Sequence, residues 1–95
     1  LANKTGGVSG PAIHPIAVRM VYEAAHAVKL PVIGMGGIFS TQDAIEMILA
    51  GADAVSVGTA NFHNPAVTAE IAEGIESYMR TYGFTRVSDM VGLVE

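Results

Sequence analysis

Two short apolar runs, Val32-Ile33-Gly34-Met35 and Ala54-Val55-Ser56-Val57, are each followed by glycine and each lead into a stretch of helical periodicity. Neither run alternates polar with apolar residues, so each fits a strand buried on both faces, as in a parallel sheet. Between them Ala44, Ile45, Ile48 and Leu49 recur at helical spacing. Ser40 followed by Asp43 resembles a capping box, with Asp in place of the usual Glu, and Gly51 fits the stop of that helix. Ahead of the first run, residues 1–10 read as a glycine-rich loop, and Pro11 and Pro15 suit a helix start. Ile13, Ile16, Ala17, Met20, Ala24 and Val28 then form one apolar stripe, which Pro31 ends. After the second run, Asn64-Pro65 reads as N-cap and first position of a third helix. Ile71, Ile75, Tyr78 or Met79, and Tyr82 give its inward stripe, and Glu76 and Arg80 an i,i+4 pair. Gly83 stops it, and the tail 84–95 reads as one more short helix from Ser88.

Strands joined in succession through helices make an α/β chain with a parallel sheet. Two strands leave both faces and both edges uncovered, so the chain must complete a larger sheet or assemble with copies of itself. Composition favours the first. With 95 residues there is room for one domain at most, yet 51% of residues are hydrophobic and 15% charged. A small independent domain has much surface to cover and is usually more polar, so the chain reads as a piece of something larger. The same apolarity excludes a disordered chain. Arg19, Glu23, Lys29, Asp43 and Glu46 interrupt every apolar run short of the ~18–20 residues of a membrane span. The net charge is -4 and the five cations are scattered, which argues against nucleic acid as a partner. Without cysteine there is neither a disulfide nor a thiolate metal site, which fits a reducing cytoplasm.

Chemistry is expected where the strands end. In parallel α/β proteins ligands bind at the carboxyl ends of strands. The turns there are Gly34-Met35-Gly36-Gly37 and Gly58-Thr59-Ala60, with a third glycine loop at Val8-Ser9-Gly10. Glycine after a strand is also an ordinary turn former, but turns of this kind in succession favour a phosphate held by free N–H groups and a helix dipole. No cation lies inside either turn, so backbone N–H groups would carry the anion. The dinucleotide G-x-G-x-x-G and the P-loop Lys are both missing. In (β/α)8 barrels a phosphate site commonly uses the loops after the last two strands, which two glycine-terminated strands near a C-terminus match. His14, His26 and His63 read as solvated or locally hydrogen-bonded, since none stands at H-x-x-x-H spacing, and no metal site is assigned. Ser9 and Ser56 lack His and Asp partners for nucleophilic chemistry. Lys4 reads as a surface lysine, with a catalytic place above a barrel as its alternative, and no catalytic residue is assigned.

Three segments carry a resemblance: Asn3-Lys4-Thr5-Gly6-Gly7-Val8-Ser9-Gly10-Pro11-Ala12-Ile13, Pro31-Val32-Ile33-Gly34-Met35-Gly36-Gly37-Ile38 and Val57-Gly58-Thr59-Ala60-Asn61-Phe62. In this order they resemble the dihydroorotate dehydrogenase family, nearest its NAD-linked class 1B catalytic subunits. The resemblance implies that residues 1–95 are the C-terminal portion, the last two βα units, of a single FMN-binding (β/α)8 TIM-barrel domain. Its activity would be the oxidation of dihydroorotate to orotate in pyrimidine biosynthesis, in the cytoplasm. It further implies that the loop of Ser9 and Gly10 touches the flavin nucleotide. Gly36, Gly37, Gly58 and Thr59 would hold the FMN phosphate, with the Thr59 hydroxyl available as well. The partner implied is an iron–sulfur electron-transfer subunit carrying FAD and a 2Fe–2S cluster, in a heterotetramer, with a homodimer as the alternative. The family's cysteine base and most of its flavin and orotate contacts fall outside this sequence, so the chain alone is expected to be inactive and to bind FMN weakly or not at all. Two other readings use the same turns: a phosphate-binding barrel without flavin, and a non-catalytic half-barrel that assembles with itself.

Overall fold

The structure, a computed structural model, describes residues 6–94. Asn3, Lys4 and Thr5 of the first motif, and with them the Lys4 alternative, lie outside the described residues. A 3-10 turn at Pro11–Ile13 leads into α1 (His14–Ala27), followed by β1 (Ile33–Met35), α2 (Thr41–Ala50) and β2 (Ala54–Ser56). A one-turn helix, α3 (Ala60–His63), and the long α4 (Val67–Tyr82) come next, then a 3-10 turn at Val87–Asp89. The expected tail helix is therefore this single tight turn.

β1 and β2 pair in parallel, with Ile33 opposite Ala54, Gly34 opposite Val55 and Met35 opposite Ser56. The register is pinned where the strands begin. Asp53 N–H donates to the Val32 carbonyl and Val32 N–H donates to Asp53 Oδ2, each at 2.8 Å. α2 crosses between the strands and lies against one face of the sheet. Gly34 makes this possible, because a Cβ there would stand 3.1 Å from both Ala52 Cβ and Met47 Sδ. The Ser40 cap forms as expected, its Oγ accepting from Asp43 N–H at 3.2 Å, while Asp43 Oδ2 reaches back to the N–H of Phe39 at 3.0 Å. Gly51 and Gly83 end their helices at positive φ, where a Cβ is disfavoured.

The main core gathers around Met47, which is fully buried among Val21, Ile38, Ala44 and Ile71. A second cluster joins Ile45 and Ile48 of α2 to Met90, which is also fully buried and holds the tail down. Met47→Ala is expected to cost about 2–4 kcal/mol, since truncating a buried Met leaves a cavity. A fall in the urea midpoint of the full-length protein at unchanged m would check it.

Two expectations change. The strands are not covered on both faces: Ile33 is 64% and Met35 61% exposed. The α1 stripe is also split. Val21 is buried against α2 with Ala17, Val18 and Tyr22 partly so, whereas Ile16 and Met20 of the expected stripe are each 64% exposed. α1 has two apolar faces. Only one meets a neighbour here, and the other joins Ile33 and Met35 around an apolar groove of about 540 Å³. Asn64 moves less: α4 begins at Val67, but Asn64 Oδ1 accepts Ala66 N–H at 3.1 Å, so Asn64-Pro65 forms a capped turn feeding the helix.

Candidate functional site

Parallel pairing brings the carboxyl ends of β1 and β2 to the same end of the sheet, and the two glycine turns meet there. Gly36 and Gly37 after β1, and Gly58 and Thr59 after β2, line one cavity of about 300 Å³. Ser9 enters it from the N-terminal loop and Ser56 from the end of β2, with Ile13, Met35, Ile38 and Phe39 as apolar wall. Gly36 and Gly37 have φ of 117° and 65°, so the turn is closed to a side chain by its backbone. A Cβ on Gly37 would also fall 2.8 Å from the backbone N of His14 and 2.9 Å from the carbonyl O of Gly10. Gly10 is thus not a lining residue. It is buried behind the wall at φ 102°, its carbonyl accepting Ile13 N–H at 3.2 Å, and Ser9 beside it faces the cavity.

The donor set suits an oxyanion. Among the described residues, the N–H groups of Gly37, Gly58 and Thr59 make no backbone hydrogen bond outside the helices and strands, while Gly36 N–H sits beside the last rung of the β1–β2 ladder. Gly36, Gly37 and Thr59 are half-buried and Gly58 is exposed, so their N–H groups are within reach of a ligand in the cavity. The lining adds the hydroxyls of Ser9, Ser56 and Thr59 and includes neither a carboxylate nor a cation. Neutral donors without a competing carboxylate fit a phosphate group, and so fit the phosphate end of FMN.

Two residues shape this end and escaped the sequence reading. Asn61 of α3 donates its Nδ2 to the carbonyls of Val57 at 2.8 Å and Gly58 at 3.1 Å, which fixes the path of the second turn. A one-turn helix has no periodicity to detect, so nothing in the spacing pointed to it. His14 is not solvated but 6% exposed, and its Nδ1 lies 3.0 Å from the carbonyl of Gly36, 22 positions away. That link is tertiary and leaves no trace in sequence spacing. Among the described residues no helix is long and apolar enough to cross a membrane.

The profile of the dihydroorotate dehydrogenase family matches residues 1–79. The chain is 60% identical over all 95 residues to the dihydroorotate dehydrogenase B (NAD(+)) catalytic subunit of Lachnoclostridium phytofermentans, and covers 32% of that protein. It is 59% identical over the same span to the catalytic subunit of that name from Trichlorobacter lovleyi, covering 31% of it. The chain therefore spans about a third of the length of these curated relatives. Among solved structures, the dihydroorotate dehydrogenase of Eimeria tenella in complex with ferulenol superposes at a TM-score of 0.86 with 29% identity, over 96% of this chain and 25% of that one. With the family profile covering most of the sequence and the fold matching a solved member, the chain belongs to the dihydroorotate dehydrogenase family.

Proposed function

We propose that these residues form the FMN-phosphate end of a (β/α)8 barrel that oxidises dihydroorotate to orotate in pyrimidine biosynthesis. The observation that carries the reading is the convergence of two strand-end turns, Gly36-Gly37 and Gly58-Thr59, on one cavity without charged lining. Bound there, FMN would supply the two-electron acceptor for the oxidation. This chain's part is to grip and orient. The two turns hold the phosphate through N–H groups fixed in place before the ligand arrives, so little ordering is needed on binding. Ser9 and Thr59 add hydroxyl donors, Gly10 sets the course of the Ser9 loop, and Asn61 keeps the Gly58 turn from relaxing. None of the described lining side chains is an acid or a base, so removal of the substrate proton falls to other parts of the barrel. The relatives' designation as NAD(+)-linked catalytic subunits supports a separate electron-transfer partner with FAD and a 2Fe–2S cluster, and a cytoplasmic location goes with that reading.

The full-length protein is expected to purify yellow and to form orotate from dihydroorotate. A colourless protein that retains a sugar phosphate instead would favour the flavin-free barrel. Within the site, Asn61→Ala removes two hydrogen bonds of about 0.5–1.5 kcal/mol each, so FMN affinity should fall roughly fivefold to a hundredfold. Flavin-fluorescence titration of the apoprotein measures this, and an unchanged affinity would remove Asn61 from the site.

A further inference from the structure

A second cluster lies behind the Gly36-Gly37 turn, outside the lining of the cavity. His14 opens α1, and its side chain is 8% exposed. Its Nδ1 faces the Gly36 carbonyl at 3.0 Å. A carbonyl oxygen only accepts, so Nδ1 carries the proton and donates, and in the neutral ring Nε2 presents its lone pair. Nε2 is buried without a hydrogen-bond partner. It faces Asp43 Oδ1 at 3.6 Å and Glu46 Oε2 at 3.7 Å, and the three atoms lie within 4.8 Å of one another. Asp43 Oδ2 is held by the N–H of Phe39 at 3.0 Å, which leaves Oδ1 for the imidazole. Asp43 and Glu46, three residues apart in α2, share one face of that helix.

With the ring neutral, three acceptors face one another, an arrangement that repels unless a cation, a metal ion or the ring's own second proton, stands between them. The two distances from His14 Nε2 bear on the kind of cation. At 3.6–3.7 Å the pairs exceed the ~2.7–3.2 Å of an N–H···O hydrogen bond. Ligand atoms about 2.0–2.1 Å from a shared Zn²⁺ stand about 3.3–3.6 Å apart when the angles run from tetrahedral to trigonal. A ring N–H given to a backbone carbonyl is also how metal-ligating imidazoles are commonly oriented. We propose that His14 Nε2, Asp43 Oδ1 and Glu46 Oε2 bind one divalent transition-metal ion, Zn²⁺ by preference, with water completing the shell. One imidazole with two carboxylates suits Zn²⁺ or Co²⁺ better than the all-oxygen shells of Mg²⁺ or Ca²⁺. The ion is structural. It ties the start of α1 to α2 and so braces the Gly36-Gly37 turn from behind.

The test uses the full-length protein, stripped with a chelator and dialysed against Zn²⁺ alone or Co²⁺ alone. The expected result is one equivalent of Zn²⁺ per chain by elemental mass spectrometry, and visible d–d absorption from bound Co²⁺. Glu46→Gln and His14→Gln should each weaken binding by at least about tenfold to a hundredfold, the range already seen for loss of outer-shell partners. If the His14 variant fails to fold, Glu46→Gln decides alone, because its side chain is 47% exposed and its exchange leaves the core intact. Absence of stoichiometric metal, or equal affinity in Glu46→Gln, overturns the assignment. So does a ¹⁵N spectrum with His14 protonated on both nitrogens at saturating Zn²⁺, since the cation is then a proton.

Discussion

Gly37→Val in the full-length protein is expected to abolish FMN retention and to lower stability by about 3 kcal/mol or more. A β-branched side chain at φ 65° is strained in its own backbone. Its Cβ would also meet two main-chain atoms, His14 N at 2.8 Å and the Gly10 carbonyl O at 2.9 Å. Backbone atoms cannot rotate aside as a flexible side chain can. The start of α1 or the turn itself must shift, and either movement misplaces the Gly36 and Gly37 N–H groups. Gly58→Ala is the companion experiment, because a Cβ there meets nothing within 4 Å. It should leave stability within about 0.5 kcal/mol of the parent, the usual range for an uncrowded substitution. Its effect should fall on flavin affinity, through a methyl group at the cavity wall. Urea denaturation and the flavin-to-protein absorbance ratio of both variants separate a failure of folding from a failure of binding. Full flavin content in Gly37→Val would rule out the Gly36-Gly37 turn as the phosphate grip.

The second large effect concerns the apolar groove between α1 and β1. In a closed barrel this groove, with Ile33 and Met20 on its walls, is covered by neighbouring strands. Ile33→Asp should therefore cost at least about 3–5 kcal/mol in the full-length protein, because it buries an unpaired carboxylate. In the 95-residue chain by itself the same residue is 64% exposed, and the change should move stability by about 0.5 kcal/mol or less. The chain alone should self-associate through the groove, and the aspartate should suppress that association in sedimentation. A full-length protein that tolerates Ile33→Asp would place the groove in water and contradict the barrel around it.

Much of this was legible along the chain. The βα alternation, the Ser40 cap, the stops at Gly51 and Gly83 and the Glu76–Arg80 pair depend on neighbours within about one helical turn, so local spacing carries them. The glycine turns were legible because parallel topology alone puts successive strand ends together. What the spacing could not carry was partnership at a distance. Two apolar stripes on α1 looked like one, because periodicity records that residues are apolar and not which neighbour each meets. His14 reads in sequence as solvated or locally hydrogen-bonded because its neighbours, Gly36, Asp43 and Glu46, come from a different turn and a different helix.

The tail offers a kinetic handle. Gly92 N–H donates to the Ile48 carbonyl and Val94 N–H to that of Leu49, each at 3.0 Å, while Met90 is fully buried beneath them. The Arg86–Val87 peptide bond enters a 3-10 turn in this stretch, and the Arg86 side chain is 76% exposed. A protease needs several residues on both sides of its target bond extended, and the 3-10 turn that follows Arg86 and the docking of Met90 oppose that, so trypsin should cut there faster when the tail has lifted from α2. At low protease, the cleavage rate then reports the equilibrium between docked and lifted tail rather than global unfolding. Met90→Ala should accelerate that cut while leaving the strand ends and their flavin grip in place, which makes residues 84–94 a clock for the stability of one local unit inside the working enzyme.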